Sequence, residues 1–208
     1  FVSVMFFGGC AGLDGPQDNP PQDTRKGWFS VKPALENNDL RSIDMVSAQI
    51  GYAVGDGGII LKTTDRGETW QVQNSESGVL LFSVAFVSEQ KGFAVGNLGT
   101  FLKTENGGTD WEQFGEYDVD FTYITFINEQ IGYLVGGAGI MYKTENGGDA
   151  WVLQDSGLES SDWLVAITFF NEQTGFAVAA NLILKPPSDG QTAWQQIYRS
   201  ADTSFDAI

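Results

Sequence analysis

The chain has no histidine and a single cysteine, Cys10, among its 208 residues. One thiol excludes an intrachain disulfide, and with no imidazole beside it the usual zinc ligand sets cannot be assembled. Ser-His-Asp and Cys-His nucleophilic catalysis are excluded on the same ground. Basic residues are also scarce: 11 Lys and Arg stand against 27 Asp and Glu, a formal charge of −16. That balance opposes binding to nucleic-acid backbones and anionic membranes, and it favours solubility or a basic partner. No apolar run approaches the ~20 residues that a membrane-spanning helix needs. The residues present call for no metal and no cofactor. Carboxylate pairs are the one catalytic chemistry left open.

What is abundant is glycine, 26 residues, and aromatic side chains, at 13%, a composition that fits a turn-rich all-β chain. Both classes recur at even spacing. Lys62-Thr63-Thr64-Asp65-Arg66-Gly67-Glu68-Thr69-Trp70 returns as Lys103-Thr104-Glu105-Asn106-Gly107-Gly108-Thr109-Asp110-Trp111 and as Lys143-Thr144-Glu145-Asn146-Gly147-Gly148-Asp149-Ala150-Trp151. A worn fourth copy runs from Lys185 to Trp194 and includes Asp189. The tryptophans are 41, 40 and 43 residues apart. A second block, Gly51-Tyr52-Ala53-Val54-Gly55, returns at Gly92, Gly132 and Gly175, each time 19 residues ahead of its Trp. The chain is therefore a repeat array, with repeats at about 40–80, 81–120, 121–163 and 164–204.

Each repeat reads as four short strands, exemplified by 42–47, 51–54, 59–63 and 69–73. Gly55-Asp56-Gly57-Gly58 reads as a hairpin turn, because Asp-Gly tolerates positive φ. A four-stranded unit of this length is one β-propeller blade. Asp65, Asn106, Asn146 and Asp189 then lie in the turn between the third and fourth strands, where a side-chain oxygen can accept backbone N–H groups ahead of it. Gly67, Gly108 and Gly148 close the turn, and Trp70, Trp111, Trp151 and Trp194 bury large rings at equivalent sites. An Asn cannot carry a proton, so the acid-to-amide exchange assigns this motif to architecture and not to catalysis.

The pattern Ser/Thr-x-Asp-x-Gly-x-Thr-Trp resembles the Asp-box, or bacterial neuraminidase repeat. Its longer form, from Gly51 to Trp70, is most similar to the photosystem II stability and assembly factor family. That resemblance, spanning roughly 40–200, implies a β-propeller and a role in holding a membrane-protein precursor through a basic surface. The chain departs from it in having four arginines, Arg25, Arg41, Arg66 and Arg199, with no basic cluster. Asp-box propellers also include sialidase-like and xyloglucanase-like glycoside hydrolases, the alternative reading. A sialidase needs an arginine cluster, and these arginines fall at unrelated repeat positions. A two-carboxylate glycosidase needs acids ~5–9.5 Å apart, a separation the sequence does not reveal.

The two ends are expected to be specialised. Residues 1–10 resemble the tail of a lipoprotein signal peptide, with Cys10 as the lipidated residue. Residues 11–25 read as a flexible tether. The incomplete propeller then occupies 26–208, with 26–31 as a strand closing a last blade that the sequence lacks. Ile43, Val84, Ile124 and Ile167 share one repeat position, and Ile208 begins a fifth copy, as in a propeller of six to eight blades. Localisation follows from Cys10: a bacterial cell envelope protein, lipid-anchored at the outer membrane or the periplasmic face, or secreted if the thiol is not lipidated.

Partner binding is expected on the divergent blade-to-blade links, since loops on a rigid scaffold carry binding residues. The candidates are Glu116, Tyr117, Asp118, Asp120, Glu159, Asp162 and Trp163, with Glu76 and Asp155 nearby. They point to a protein partner, basic where it meets these acids, with no nucleic acid and no membrane contact beyond the lipid anchor. Oligomeric state is left open. Lys62, Lys103 and Lys143 recur at one blade position and are expected to pair with local acids.

Overall fold

A computed structural model describes residues 5–7, 28–30, 38–187 and 192–200. Cys10, Asp189 and Ile208 lie outside the described residues. Two short strands come first, β1 (Met5–Phe7) and β2 (Trp28–Ser30), paired antiparallel with Phe6 opposite Phe29. The segment expected to close a missing blade thus contains a strand, and its partner here is β1.

Four antiparallel four-stranded sheets follow, each a simple meander. Blade 1 is β3 (Leu40–Met45), β4 (Gly51–Gly55), β5 (Ile60–Thr63) and β6 (Gln71–Gln73). Blade 2 is β7 (Leu81–Phe86), β8 (Gly92–Gly96), β9 (Phe101–Thr104) and β10 (Glu112–Gln113). Blade 3 is β11 (Phe121–Phe126), β12 (Gly132–Gly136), β13 (Met141–Thr144) and β14 (Val152–Leu153). Blade 4 is β15 (Leu164–Asn171), β16 (Thr174–Ala179), β17 (Leu182–Lys185) and β18 (Gln195–Arg199). The array is part of a β-propeller.

The register agrees with the repeat: Ile43, Val84, Ile124 and Ile167 pair with Ala53, Ala94, Leu134 and Ala177. Every first strand also carries a register shift at its start, at Leu40/Ser42, Leu81/Ser83, Phe121/Tyr123 and Leu164/Ala166. A bulge at one place in all four blades sharpens the twist of the strand against which its neighbours pack. The first strands of successive blades lie side by side, and small polar side chains stitch them together. Ser42 Oγ accepts the Val84 amide at 3.4 Å, Ser83 Oγ accepts the Ile124 amide at 3.3 Å, and Thr122 Oγ1 donates to the Leu164 carbonyl at 2.6 Å.

Between blades the core is aromatic and periodic. Tyr52 of blade 1 stacks on Phe86 of blade 2, centroids 3.7 Å apart, and Phe86 meets the edge of Trp111 at 5.8 Å. Phe93, Phe126 and Trp151 repeat the arrangement between blades 2 and 3, and Tyr133, Phe169 and Trp194 between blades 3 and 4. Trp111, Trp151 and Trp194 therefore pack against the preceding blade, and the expectation that all four tryptophans occupy equivalent buried sites needs correction. Trp111 and Trp194 are buried, whereas Trp70 and Trp151 are only partly so, and Trp70 has no described blade before it. The two end faces show the same logic. Ile43 and Met45 on blade 1 and Phe176 and Val178 on blade 4 are exposed, although Val84, Ile124 and Ile167 (matching Ile43) and Val54, Val95 and Val135 (matching Val178) are buried.

Candidate binding faces

The Asp-box turns gather at one end of the array. Asp65 accepts the Thr69 amide at 2.9 Å and the Thr69 hydroxyl at 2.6 Å, and these bonds hold its carboxyl below the ordinary range. Asn106 accepts the Asp110 amide and Asn146 the Ala150 amide, both at 2.9 Å. Gly67, Gly108 and Gly148 take φ of 84°, 81° and 85°, the left-handed region that a side chain resists. The motif has a second pivot that the sequence pattern contains but that was not singled out. Buried Thr63, Thr104 and Thr144 accept those three glycine amides at 2.8, 2.9 and 2.9 Å and donate to the Asp or Asn oxygen. The turns also rest on the first-to-second strand links: the Arg66, Gly107 and Gly147 amides donate to the carbonyls of Gln49, Gln90 and Gln130.

Two of the recurrent lysines, Lys62 and Lys103, bridge blades at this end. Lys62 does not meet an acid as expected: its ammonium donates to the Gly107 carbonyl of the next blade at 2.7 Å, beside the Tyr52 hydroxyl at 2.8 Å. Lys103 meets Glu105 at 2.7 Å and Asp149 of blade 3 at 3.3 Å, and Lys143 meets Glu145. Lys62 differs because Thr64 stands where the other two repeats carry Glu105 and Glu145.

At the opposite end, the second-to-third strand turns meet the blade-to-blade links. In blade 1 the hairpin turn contains a 3-10 turn, Asp56–Gly58, in which Gly57 and Gly58 have φ of 66° and 74°. Leu98 and Ala138 occupy the matching left-handed position at φ of 54° and 55°. The links clamp these turns. Ser75 and Ser156, both buried, donate to the carbonyls of Gly58 and Gly139 at 2.6 Å, and neither serine was singled out in the sequence.

This geometry divides the candidate residues. Tyr117 is part of the core: its ring lies 5.0 Å from Phe121 and 5.7 Å from Tyr142, and burial raises its phenol above the ordinary range. Asp120 accepts the Leu98 amide at 2.7 Å and so stabilises a left-handed turn residue. Asp162 accepts the Glu159 amide at 3.2 Å and caps its own loop. Glu116, Asp118 and Glu159 are exposed, and Trp163 is 46% exposed while covering Gly137. The two links meet where the Asp120 carbonyl accepts the Gly137 amide at 2.9 Å and Gly137 lies under Trp163.

Among the described residues Asp44 is the one carboxyl pushed up by burial, and its oxygen is engaged by the Phe86 amide at 2.7 Å between blades 1 and 2. Among the described residues no cluster of three or more Cys, Asp or Glu side chains could hold a metal ion.

No curated protein matches the chain. Solved structures with the same fold include a YCF48 bound to a D1 peptide, at 19% identity and TM-score 0.64, with 80% of this chain covering 57% of that one. YCF48 from Cyanidioschyzon merolae matches at 21% identity and TM-score 0.64, over 83% of this chain and 60% of that one. An ancestral GH74 enzyme matches at 22% identity and TM-score 0.64, over 78% of this chain and 24% of the enzyme. The chain thus spans somewhat over half the length of the YCF48 structures. A family model matches residues 21–115 and 74–153, across three of the four Asp-box repeats, and the chain belongs to the family described as photosynthesis system II assembly factor YCF48.

Proposed function

We propose that this propeller is a non-enzymatic, protein-binding scaffold with assembly-factor-like behaviour, held at the bacterial cell envelope by a lipid on Cys10. Membership of the YCF48 family carries the reading, together with the fact that one YCF48 of this fold binds a D1 peptide. The docking surface is the acidic rim of Glu116, Asp118, Glu159 and Asp162 with Trp163 among them. Glu116, Asp118, Glu159 and Trp163 are exposed on a backbone clamped by Gln113, Ser156 and Asp120. A rigid frame under exposed charge and one exposed indole is what a polar interface with an aromatic anchor requires. With a formal charge of −16, the partner meeting this rim is basic.

The second reading is a glycoside hydrolase of the sialidase or xyloglucanase kind, supported by the likeness in fold to a GH74 enzyme. The chain covers 24% of that enzyme, so in this reading the catalytic carboxylates lie partly outside the matched part.

The deciding experiment is capture from a native envelope extract across a salt series, with the retained chains identified by mass spectrometry. A defined protein set retained at low salt and released as salt rises is the expected result. Capture that ignores salt would remove the acidic rim as the dock. Release of reducing sugar from xyloglucan or of sialic acid from a sialoside would replace the binding reading with the enzymatic one.

A further inference from the structure

Two of the Asp-box turns contain the dipeptide Asn-Gly, Asn106-Gly107 and Asn146-Gly147, within the same stretch Lys-Thr-Glu-Asn-Gly-Gly. Asparagine is readily hydrolysed in this dipeptide, because glycine has no side chain to shield its amide nitrogen. That nitrogen attacks Asn Cγ, and the new N–Cγ bond closes a succinimide ring. The side-chain nitrogen leaves as ammonia, taking the proton of the glycine amide. Water then opens the ring. Cleavage of the N–Cγ bond gives aspartate, and cleavage of the bond to the main-chain carbonyl carbon gives isoaspartate. The net change is one amide and one water converted to one acid and one ammonia.

The folded turn opposes the first step at both places, and it does so unequally. Gly107 and Gly147 are buried, and their amides donate to the Gln90 and Gln130 carbonyls, each at 2.8 Å. Neither nitrogen can attack until its turn opens. The asparagine side chains differ. Asn106 Oδ1 accepts the Asp110 amide at 2.9 Å, and its Nδ2, the group that must depart, donates to the Asp110 carboxylate at 2.8 Å. Asn146 Oδ1 accepts the Ala150 amide at 2.9 Å. Ala150 offers its Nδ2 no acceptor, and no hydrogen bond from that nitrogen is found among the described residues. The products differ too. Blade 1 already holds a carboxylate here, Asp65, on the Thr69 amide at 2.9 Å, so an aspartate in place of Asn146 keeps the bond that shapes the turn. An aspartate in place of Asn106 would set a second carboxylate against Asp110, where like charges repel.

We propose that Asn146-Gly147 is a site of spontaneous hydrolytic modification, converted by water to aspartate or isoaspartate, whereas Asp110 preserves Asn106-Gly107. The aspartate product lets blade 3 close its Asp-box turn again, with one more negative charge at this end of the array. The isoaspartate product lengthens the main chain between residues 146 and 147 and pulls the Gly147 amide away from Gln130. Loss of ammonia is irreversible, so the modification accumulates with openings of that turn. It involves neither the acidic rim nor a partner.

The test incubates the whole chain, folded and in urea, in mildly alkaline buffer made with heavy-oxygen water. Mass spectrometry of the two tryptic peptides, which part at Lys143, reads the rate at each asparagine. In urea the two should convert equally, since the residues around them are the same. In the folded chain both should slow, and Asn106 should fall behind Asn146 by about 10-fold or more, the worth of a hydrogen bond to a charged group. Asp110→Ala, which copies Ala150, should bring Asn106 up to the Asn146 rate. Asn146→Asp should leave the melting temperature unchanged, and Asn106→Asp should lower it. Equal folded-state rates, no conversion at Asn146, or no release of Asn106 by Asp110→Ala would each overturn the proposal. Unequal rates in urea would assign the difference to local sequence and overturn it too. Equal destabilisation by Asn146→Asp and Asn106→Asp would do the same, and the rates in the unsubstituted chain decide even where Asn106→Asp fails to fold.

Discussion

The Asp44 carboxylate accepts the Phe86 amide at 2.7 Å, joining the first strand of blade 1 to that of blade 2. Desolvation raises the Asp44 carboxyl above its ordinary range, opposed by its backbone hydrogen bonds. The folded state therefore holds this proton more tightly than the unfolded chain. Its contribution to stability is gained as pH falls through the raised pKa, is complete below the ordinary aspartate value, and is lost as pH rises again. Asp44→Asn should keep the acceptor and remove the titration, so wild type should gain stability relative to this variant on acidification. Asp44→Ala should cost about 1–3 kcal/mol at neutral pH by leaving the Phe86 amide unpaired. Urea unfolding of the three proteins at two pH values reads both effects, and a pH-independent difference between wild type and Asp44→Asn would refute the account.

The aromatic seams predict an ordering among tryptophans. Trp111→Ala removes a buried ring packed on Phe86 and should cost about 3–5 kcal/mol. Trp70→Ala removes a partly exposed ring on an end face and should cost clearly less. Asp65→Asn should cost little, because Asn106 and Asn146 accept the same backbone amide. Thermal unfolding of the three variants gives the ranking, and equal losses at Trp70 and Trp111 would contradict seam packing.

How much of this was legible follows from where the signal lies. The blades, their register and the Asp-box role of Asp65, Asn106 and Asn146 could be read because the same contacts recur, four times in the sheets and three times in the described Asp-box turns, and leave matching residues. Contacts made once leave no such mark. Lys62 meeting a carbonyl, Asp44 meeting an amide and Tyr117 turning inward each depend on a neighbouring blade that no single repeat describes. Ser75 and Ser156 fell between the two cases: they share a role and a spacing, yet blade 2 replaces them with Gln113, which donates to the Gly99 carbonyl at 3.0 Å. The bulges were invisible because a bulge preserves the alternation on either side.

The threonine pivot gives a prediction independent of packing. Thr104 Oγ1 accepts the buried Gly108 amide at 2.9 Å. Thr104→Val keeps the shape and should cost about 1–3 kcal/mol through that unpaired donor, whereas Thr104→Ser should cost less. Gly108→Ala should be worse than either, since its Cβ would sit 3.0 Å from the Tyr52 ring at a φ of 81°. Denaturant midpoints order the three, and a silent Thr104→Val would remove the hydroxyl from the motif.

The proposed anchor rests on one thiol. Expressed from the full-length gene in a Gram-negative host, the protein should incorporate labelled fatty acid and sediment with membranes. Cys10→Ser should abolish the label. Soluble, unlabelled protein in both cases would leave a secreted propeller without an anchor.

The acidic rim separates into residues that hold the loop and residues free to bind. Asp120 serves the Leu98 turn, so Asp120→Asn should lower the melting temperature and inform on binding only indirectly. Glu116 and Asp118 are exposed, and no hydrogen bond to either side chain is found among the described residues. The double change Glu116→Gln/Asp118→Asn should therefore leave the melting temperature within experimental error and reduce capture of the partner at low salt, because it removes two charges from the local field. The matched control is Glu89→Gln/Glu129→Gln, two exposed acids at the opposite end, on first-to-second strand links. That pair removes the same net charge, so an equal loss of capture would show that overall charge and not the rim attracts the partner. A larger loss from the control pair would move the docking face to the Asp-box end. Selective loss from the Glu116/Asp118 pair, with unchanged melting, is the outcome that the clamped loop and its exposed acids require.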